Sequence, residues 1–179
     1  MVRSFVAIDI PDYIRGRLSE AQWLLNSSDA KLRIVSPDNI HITLKFIGEV
    51  DDGRLKQIED ALSLLDSEPF KITIRNVAGN PPNKPKVVWC NVEDEGGCRI
   101  LHSQIENAFA PLGIEKDRRK YTPHATLARV SRFHKNLNEK IADLSFENFG
   151  SFDASSIVLK KSTLTPQGSI YEDILEAKF

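Results

Sequence analysis

Two short patterns in this chain place a threonine two residues after a histidine. His41 and Thr43 form one pattern, His124 and Thr126 form the other, and a leucine follows each. Both lie in apolar runs with the alternation of a β-strand, where residues i and i+2 point to the same face. Each His-x-Thr motif therefore predicts an imidazole beside a hydroxyl, backed by a core. Two such faces would hold two imidazoles around one small polar group.

Paired imidazoles are suited to acid–base chemistry at a phosphorus centre. The unperturbed pKa of histidine, about 6.5, allows it to give or take a proton near neutral pH. One neutral imidazole can deprotonate an attacking water or hydroxyl, and a second, protonated one can protonate the leaving oxygen. The threonine hydroxyls can donate hydrogen bonds to the phosphate oxygens. The residues alone leave the two imidazoles interchangeable.

Other chemistries fit the sequence less well. Paired histidines also bind metals, but neither motif contains the carboxylate or cysteine that would complete a site, so no metal or other cofactor is expected. The chain lacks the GxSxG motif of serine hydrolases and the GxxxxGK[ST] and GxGxxG nucleotide loops. A structural role in the core remains the alternative for either histidine taken alone.

Composition is typical of a soluble globular protein. Hydrophobic residues make up 41% and charged residues 27% of the 179 residues, and the net charge is −1. The length predicts a single domain, residues 1–179, with two lobes. No apolar run approaches the roughly 18 residues of a membrane helix, and the N-terminal residues do not resemble a secretory signal. We expect a cytoplasmic monomer without a membrane partner, in which Cys90 and Cys98 are free thiols.

The hydrophobic periodicity alternates between strands and helices. Strands are expected at residues 3–10, 31–36, 40–48, 70–77, 87–92, around the second motif, and in a hairpin of 157–164 and 170–175 turned at 166–168. Helices are expected after Pro11, after the caps Asp51 and Asp52, from 101 to a stop at Gly113, and over 137–144. The motifs lie 83 residues apart, one in each half. We therefore predict an α+β fold of pseudo-duplicated antiparallel sheets, with outer helices and a central groove lined by the motif strands.

Basic residues lie near both motifs. Lys45 is two residues beyond Thr43, so strict alternation predicts that it faces the groove or the solvent with His41. A second group precedes His124, and it is either solvated surface or a patch that attracts phosphate; this group comprises Lys116, Arg118, Arg119 and Lys120.

Four segments give the chain a resemblance to a known family. They are residues 5–11 (FVAIDIP), 39–49 (NIHITLKFIGE), 123–130 (PHATLARV) and 162–171 (STLTPQGSIY). With these segments the chain resembles the two-histidine phosphoesterases, specifically the LigT-like RNA 2′,3′-cyclic phosphodiesterases once called 2′-5′ RNA ligases. The similarity covers nearly the whole chain, and no motif residue departs from the family pattern.

The resemblance implies a function and a role for each motif residue. The implied reaction is metal-independent hydrolysis of a 2′,3′-cyclic phosphate at an RNA 3′ end, leaving a 2′-phosphate. His41 is then the proton donor to the departing 3′ oxygen and His124 the acceptor that activates water, while Thr43 and Thr126 hold the phosphate. Arg129 matches a family arginine that reaches the phosphate. It lies five residues after His124, so it needs a bulge to face the groove; a surface or structural role is the alternative.

Two other functions use the same residues. In the first, a ribose hydroxyl replaces water and the protein joins tRNA halves through a 2′-5′ linkage. The second is a non-catalytic module that binds RNA or nucleotides, although binding alone does not require a proton donor and acceptor. The expected partner is RNA with a 2′,3′-cyclic phosphate end, with tRNA fragments or cyclic nucleotides as variants of it.

Overall fold

The computed structural model describes residues 1–166 and 168–179, and these parts of the chain form nine strands and four helices. In chain order the elements are β1 (Val2–Asp9), α1 (Asp12–Asn26), β2 (Lys31–Ile34), β3 (His41–Val50), α2 (Asp52–Ser63), β4 (Phe70–Asn80), β5 (Val87–Glu93), α3 (Gly97–Phe109), β6 (His124–Arg132), α4 (Asn136–Asp143), β7 (Asn148–Ala154), β8 (Ser156–Thr165) and β9 (Gly168–Lys178). None of the helices in this described part is long and apolar enough to cross a bilayer.

All nine described strands belong to one antiparallel sheet with the order β7-β4-β5-β6-β3-β1-β8-β9, and β2 also pairs with β6. The two central strands, β3 and β6, are paired at Ile42 and Ala125, whereas the neighbouring strands pair over long ladders. This narrow connection, the seam, divides the sheet into two lobes. The predicted α+β fold with two duplicated antiparallel lobes is thereby confirmed.

Each lobe contains strands from both halves of the sequence. Across the seam, β3 corresponds to β6, β1 to β5, β8 to β4 and β9 to β7. Strand β4, which follows α2, crosses to the second lobe and pairs with β5, and β8, near the end of the chain, returns to pair with β1. The first lobe is therefore completed by the last two strands.

Most elements lie where the periodicity predicts them. The Asp51 side chain accepts a hydrogen bond from the Arg54 N–H at 2.8 Å and caps α2 as expected. Helix α3 ends at Phe109 and continues as a short 3₁₀ turn to Gly113, whose φ of +71° favours glycine. Strand β7 was not predicted. The middle of the predicted 166–168 turn lies outside the described residues.

The apolar sides of the helices and of the motif strands form the core. Ile42 and Ala125, between the histidine and threonine of each motif, are fully buried. They pack in one cluster with the inner faces of α1, α2 and α3; the helical members include Ile14, Leu18, Ile58, Leu62, Leu101, Ile105 and Phe109. This packing holds the motif residues on the opposite face of the sheet.

A β-bulge follows the motif threonine on β3. Ala7 pairs with Thr43 but Val6 pairs with Lys45, so Leu44 is the extra residue of the strand. Leu44 and Lys45 are both buried, which breaks the alternation. Lys45 and Phe46 therefore lie on the faces opposite to those that strict alternation predicts, until a second register shift at Ile47 restores the original phase.

Strand β6 has a bulge at the equivalent place. Trp89 pairs with Thr126 but Val88 pairs with Ala128, so Leu127 is the extra residue. The bulge returns Arg129, the residue five places after the histidine, to the face of the motif.

Candidate active site

A groove of about 830 Å³ lies over the seam, and the four motif side chains line it together. Because Ile42 pairs with Ala125 in an antiparallel register, His41 lies across from Thr126 and Thr43 lies across from His124. Each imidazole thus has one hydroxyl beside it along its own strand and another across the seam. The structure brings together the four residues that the sequence singles out.

The ring of His41 is fixed by hydrogen bonds at both nitrogens. Nδ1 lies 2.7 Å from the backbone oxygen of Asn39, and because a carbonyl only accepts, the proton is on Nδ1. Nε2 lies 2.9 Å from Oγ1 of Thr43 and accepts from this hydroxyl when the ring is neutral. The ring packs against Phe5 and Tyr171, with centroids 4.9 and 5.5 Å away.

His124 is held in a corresponding way. Its Nδ1 donates to the backbone oxygen of Thr122 at 2.8 Å, and its ring lies 4.4 Å from that of Trp89. In both motifs a carbonyl two residues earlier fixes the tautomer, and an aromatic residue from the equivalent neighbouring strand supports the ring. Each neutral imidazole therefore keeps its Nε2 as the basic atom.

The environment of His41 favours its neutral form. Burial lowers its pKa from 6.5 to about 4, and the positive charge of Lys160 and the proximity of His124 act in the same direction. The Asn39 carbonyl and the Asp9 carboxylate oppose this shift. His41 is neutral at pH 7 in the free protein, and a bound anion would favour its protonated form.

The bulges decide which further residues reach the groove. Arg129 is exposed and lines the groove, so the bulge that its placement required is present. At the equivalent position of the first motif, Phe46 lines the groove and is 66% exposed. The two ends of the groove therefore differ, one carrying an aromatic ring and the other a guanidinium.

The prediction that Lys45 faces the groove or the solvent is wrong. The bulge at Leu44 turns its side chain to the buried face, where Lys45 is only 2% exposed. Its Nζ lies 2.6 Å from Glu106 and 3.3 Å from Asp117, and it donates to the backbone oxygen of Glu115 at 2.7 Å. Lys45 thus attaches the loop before β6 to β3.

Helix α3 supplies the other half of this buried polar cluster. Burial alone acts to raise the pKa of Glu106, but hydrogen bonds from Lys45 and from the Asp117 N–H bring it below its usual range. The His102 ring donates to the Leu44 oxygen and stacks on Tyr121, whose hydroxyl donates to the Thr43 oxygen. Sequence reasoning missed these residues because they carry no motif and meet only through the fold.

The cluster also contains the one described group of residues with the spacing of metal ligands: His102, Glu106 and Asp117. The ammonium of Lys45 already lies within 3.3 Å of both carboxylates. A second cation there would be repelled by this charge. We therefore assign the cluster to Lys45 rather than to a metal ion.

The basic loop before His124 is positioned by the same cluster. Arg118, Arg119 and Lys120 line the groove, whereas Lys116 bonds to Asn107 at 2.9 Å. Three of the four predicted cations therefore lie where they can attract an anionic substrate to the groove.

Comparison with known proteins identifies the family. A model described as the 2′-5′ RNA ligase superfamily matches residues 11–159. The chain belongs to this superfamily. It is similar to the RNA 2′,3′-cyclic phosphodiesterase of Methanothermobacter thermautotrophicus, with 38% identity over 97% of this chain and 96% of the relative. The protein of the same name from Archaeoglobus fulgidus is 36% identical over 97% and 98% of the two chains.

Solved structures confirm the fold of this superfamily member. A Thermus thermophilus protein matches with a TM-score of 0.82 and 24% identity, covering 98% of this chain and 97% of that one. Escherichia coli LigT complexed with 3′-AMP matches with a TM-score of 0.81 and 22% identity, over 99% and 98%. The predicted resemblance to LigT-like proteins is confirmed.

The lowered pKa of His41 predicts a pH-dependent stability. In the unfolded chain His41 titrates near 6.5 and in the folded chain near 4, so below pH 6.5 the unfolded state binds more protons. The free energy of unfolding should therefore fall by about 3 kcal/mol between pH 7 and pH 4 through this residue. Urea unfolding of the wild type and of His41→Gln should differ in pH dependence by this amount. If the free energy of unfolding falls equally with pH in the wild type and in His41→Gln, the lowered pKa of His41 is contradicted.

The buried ion pair predicts strong coupling between Lys45 and Glu106. Lys45→Met leaves Glu106 as an unpaired buried charge and should lower the free energy of unfolding by about 3 kcal/mol. Adding Glu106→Gln removes that charge and should recover more than half of the loss. Denaturant unfolding of the two single variants and the double variant measures the coupling. Additive effects would show that the two residues act independently.

Proposed function

We propose that this protein hydrolyses 2′,3′-cyclic phosphates at RNA 3′ ends to 2′-phosphates, with His41 and His124 as the acid–base pair and without a metal ion. The observation that carries the proposal is the paired arrangement in the groove: two imidazoles of fixed tautomer with two hydroxyls beside them. The names of the two archaeal relatives support the substrate class.

In the proposed reaction, Nε2 of His124 takes a proton from water as the water attacks the phosphorus. The bond from phosphorus to the 3′ oxygen breaks, and the protonated Nε2 of His41 gives its proton to that oxygen. The phosphate stays on the 2′ oxygen. The reaction leaves His124 protonated and His41 neutral, so exchange with solvent must restore both before the next cycle.

The hydrogen bond between Thr43 and His41 links protonation to phosphate binding. In the free protein the Thr43 hydroxyl donates to Nε2 of the neutral ring. Protonation of Nε2 makes it a donor, and the Thr43 hydroxyl is then free to donate to a phosphate oxygen. Thr126 offers a second hydroxyl from across the seam, and Arg129 a guanidinium from the end of the groove. These three residues are proposed to hold the phosphate as charge builds on it.

The first test is activity on an oligonucleotide that ends in a 2′,3′-cyclic phosphate, with EDTA present. His41→Gln and His124→Gln should each lower kcat by at least about 100-fold, the usual contribution of one acid or base. His134→Gln is the matched control, since that ring bonds to Asn136 outside the groove. A histidine variant that keeps most of its activity would exclude this mechanism, and loss of wild-type activity with EDTA would indicate a metal.

The second test concerns the assignment of the acid. A donor role for His41 requires that the anionic phosphate raise its pKa from about 4, because a nearby opposite charge favours the imidazolium. Titration of the histidine ¹⁵N resonances by NMR should show a rise of about one unit or more on adding a nucleoside 2′-phosphate. If the pKa stays unchanged in the complex, the neutral His41 is the base and the two roles are exchanged.

Joining of RNA ends is the second candidate reaction, and the superfamily name favours it. A ribose hydroxyl would replace water as the group that His124 deprotonates, and the same groove would hold both RNA ends. Supplying tRNA halves in water and measuring the rates of hydrolysis and joining separates the two reactions. Binding without turnover of any cyclic phosphate would indicate a non-catalytic module.

The proposal extends to the substrates, the oligomeric state and the cellular location of the protein. We propose RNA with a cyclic phosphate end as the main substrate, and tRNA fragments and cyclic nucleotides as further ones. A monomer in the cytoplasm is proposed, in keeping with the two buried free thiols, Cys90 and Cys98.

A further inference from the structure

Four cations occupy two rungs of the β2–β6 ladder, which are separated by the pair of Leu32 with Val130. Arg33 pairs with Arg129, and Lys31 pairs with Arg132. All four residues are exposed, in a chain whose net charge is −1. We call this set the cation ladder, with Arg33 and Arg129 as its inner rung and Lys31 and Arg132 as its outer rung.

The pairing places all four side chains on one face of the sheet. Arg33 and Lys31 are two residues apart on β2, so they share a face. Arg129 lies opposite Arg33, and a register shift beyond Val130 makes Ser131 the extra residue and brings Arg132 opposite Lys31. Since Arg129 lines the groove, the cation ladder continues the groove face outward from the candidate active site.

The cation ladder is not neutralised within the described chain. None of its four members forms an ion pair with residues 1–166 or 168–179. Asp29, the acid two residues before Lys31, instead accepts from Asn136 at 2.9 Å and lies 3.7 Å from His134. Like charges placed directly across a strand pair repel each other. An arrangement that costs stability in the free protein indicates an anionic partner.

The direction and spacing of the rungs suit a phosphodiester chain. The two rungs lie about 7 Å apart along β2, comparable with the phosphate-to-phosphate step of an extended single strand. Thr126, Arg129 and Arg132 follow one another along β6, so the track begins at the proposed phosphate site.

We propose that the cation ladder binds the phosphate backbone of single-stranded RNA on the 5′ side of the reacting nucleotide. The inference rests on the proposed function, since it places the 3′ end in the groove. In the inner rung, Arg129 contacts the reacting phosphate and Arg33, opposite it, contacts the first internucleotide phosphate; the outer rung contacts the next. The protein then prefers oligonucleotides to cyclic mononucleotides, and the preference grows with each phosphate that reaches a rung.

The test uses the outer rung, which lies away from the motif residues. Lys31→Gln/Arg132→Gln is compared with the wild type on a nucleoside 2′,3′-cyclic phosphate and on a dinucleotide and a tetranucleotide with the same end. The kcat/KM for the tetranucleotide should fall about tenfold or more, while that for the cyclic mononucleotide changes less than twofold. Lys71→Gln/Lys178→Gln is the matched control, because it removes two exposed strand cations elsewhere and should leave all three substrates unchanged.

Salt dependence gives an independent measurement. Binding of the tetranucleotide product, ending in a 2′-phosphate, is followed by fluorescence anisotropy at several salt concentrations. The slope of log affinity against log salt should be shallower by about 0.7 in the outer-rung variant, because the outer rung contacts one phosphate and each phosphate contact on a single strand contributes about 0.7. The variant should also be no less stable than the wild type, since it removes a like-charge pair.

The outcomes separate the inference from the proposed function. If the wild type hydrolyses the cyclic mononucleotide and the tetranucleotide with equal kcat/KM, the proposed function stands and the cation ladder is not an RNA track. The inference would also be overturned if the outer-rung variant lost kcat/KM equally on all three substrates, or if the outer-rung and control variants had equal effects on kcat/KM. If no cyclic phosphate is hydrolysed but the product still binds with the predicted salt slope, the proposed function fails and the track remains.

Discussion

The pairing of Ile42 with Ala125 at the seam is the constraint on which the site depends. This contact holds the two lobes in register and places each motif histidine across from the threonine of the other strand. A slip of one residue would turn a whole motif into the core, because side chains alternate with a period of two. Both residues are fully buried, so the helices that cover them also stabilise the register that the groove requires.

Sequence alternation predicts the site correctly as far as the leucine of each motif and fails beyond it. The bulges at Leu44 and Leu127 arise from pairing with neighbouring strands, and no glycine marks either position. Strict alternation consequently predicts Lys45 on the groove face with His41, whereas the bulge places it on the buried face. For Arg129 the need for a bulge could be stated in advance, but its presence could not.

Local patterns also account for most of the fold, because hydrophobic periodicity and caps act over a few residues. Strand β7 was missed, since its sequence, NFGSFDA, is short, polar and interrupted by glycine. The exchange of strands between lobes and the Lys45–Glu106 pair depend on contacts between distant segments, which one sequence does not reveal. The histidine motifs can be recognised from the sequence because the imidazole and the hydroxyl of each motif lie within three consecutive residues.

The interleaving of the lobes has a consequence for synthesis of the chain. Tyr171 on β9 packs against the His41 ring, and Lys160 on β8 lowers its pKa. A growing polypeptide that has already emerged past both histidines still lacks these strands, and the outer edge of β1 stays unpaired. Such an edge readily joins other chains. The nascent protein thus acquires its acid–base pair in mature form only after β8 and β9 have emerged, and until then its first strand needs protection from aggregation.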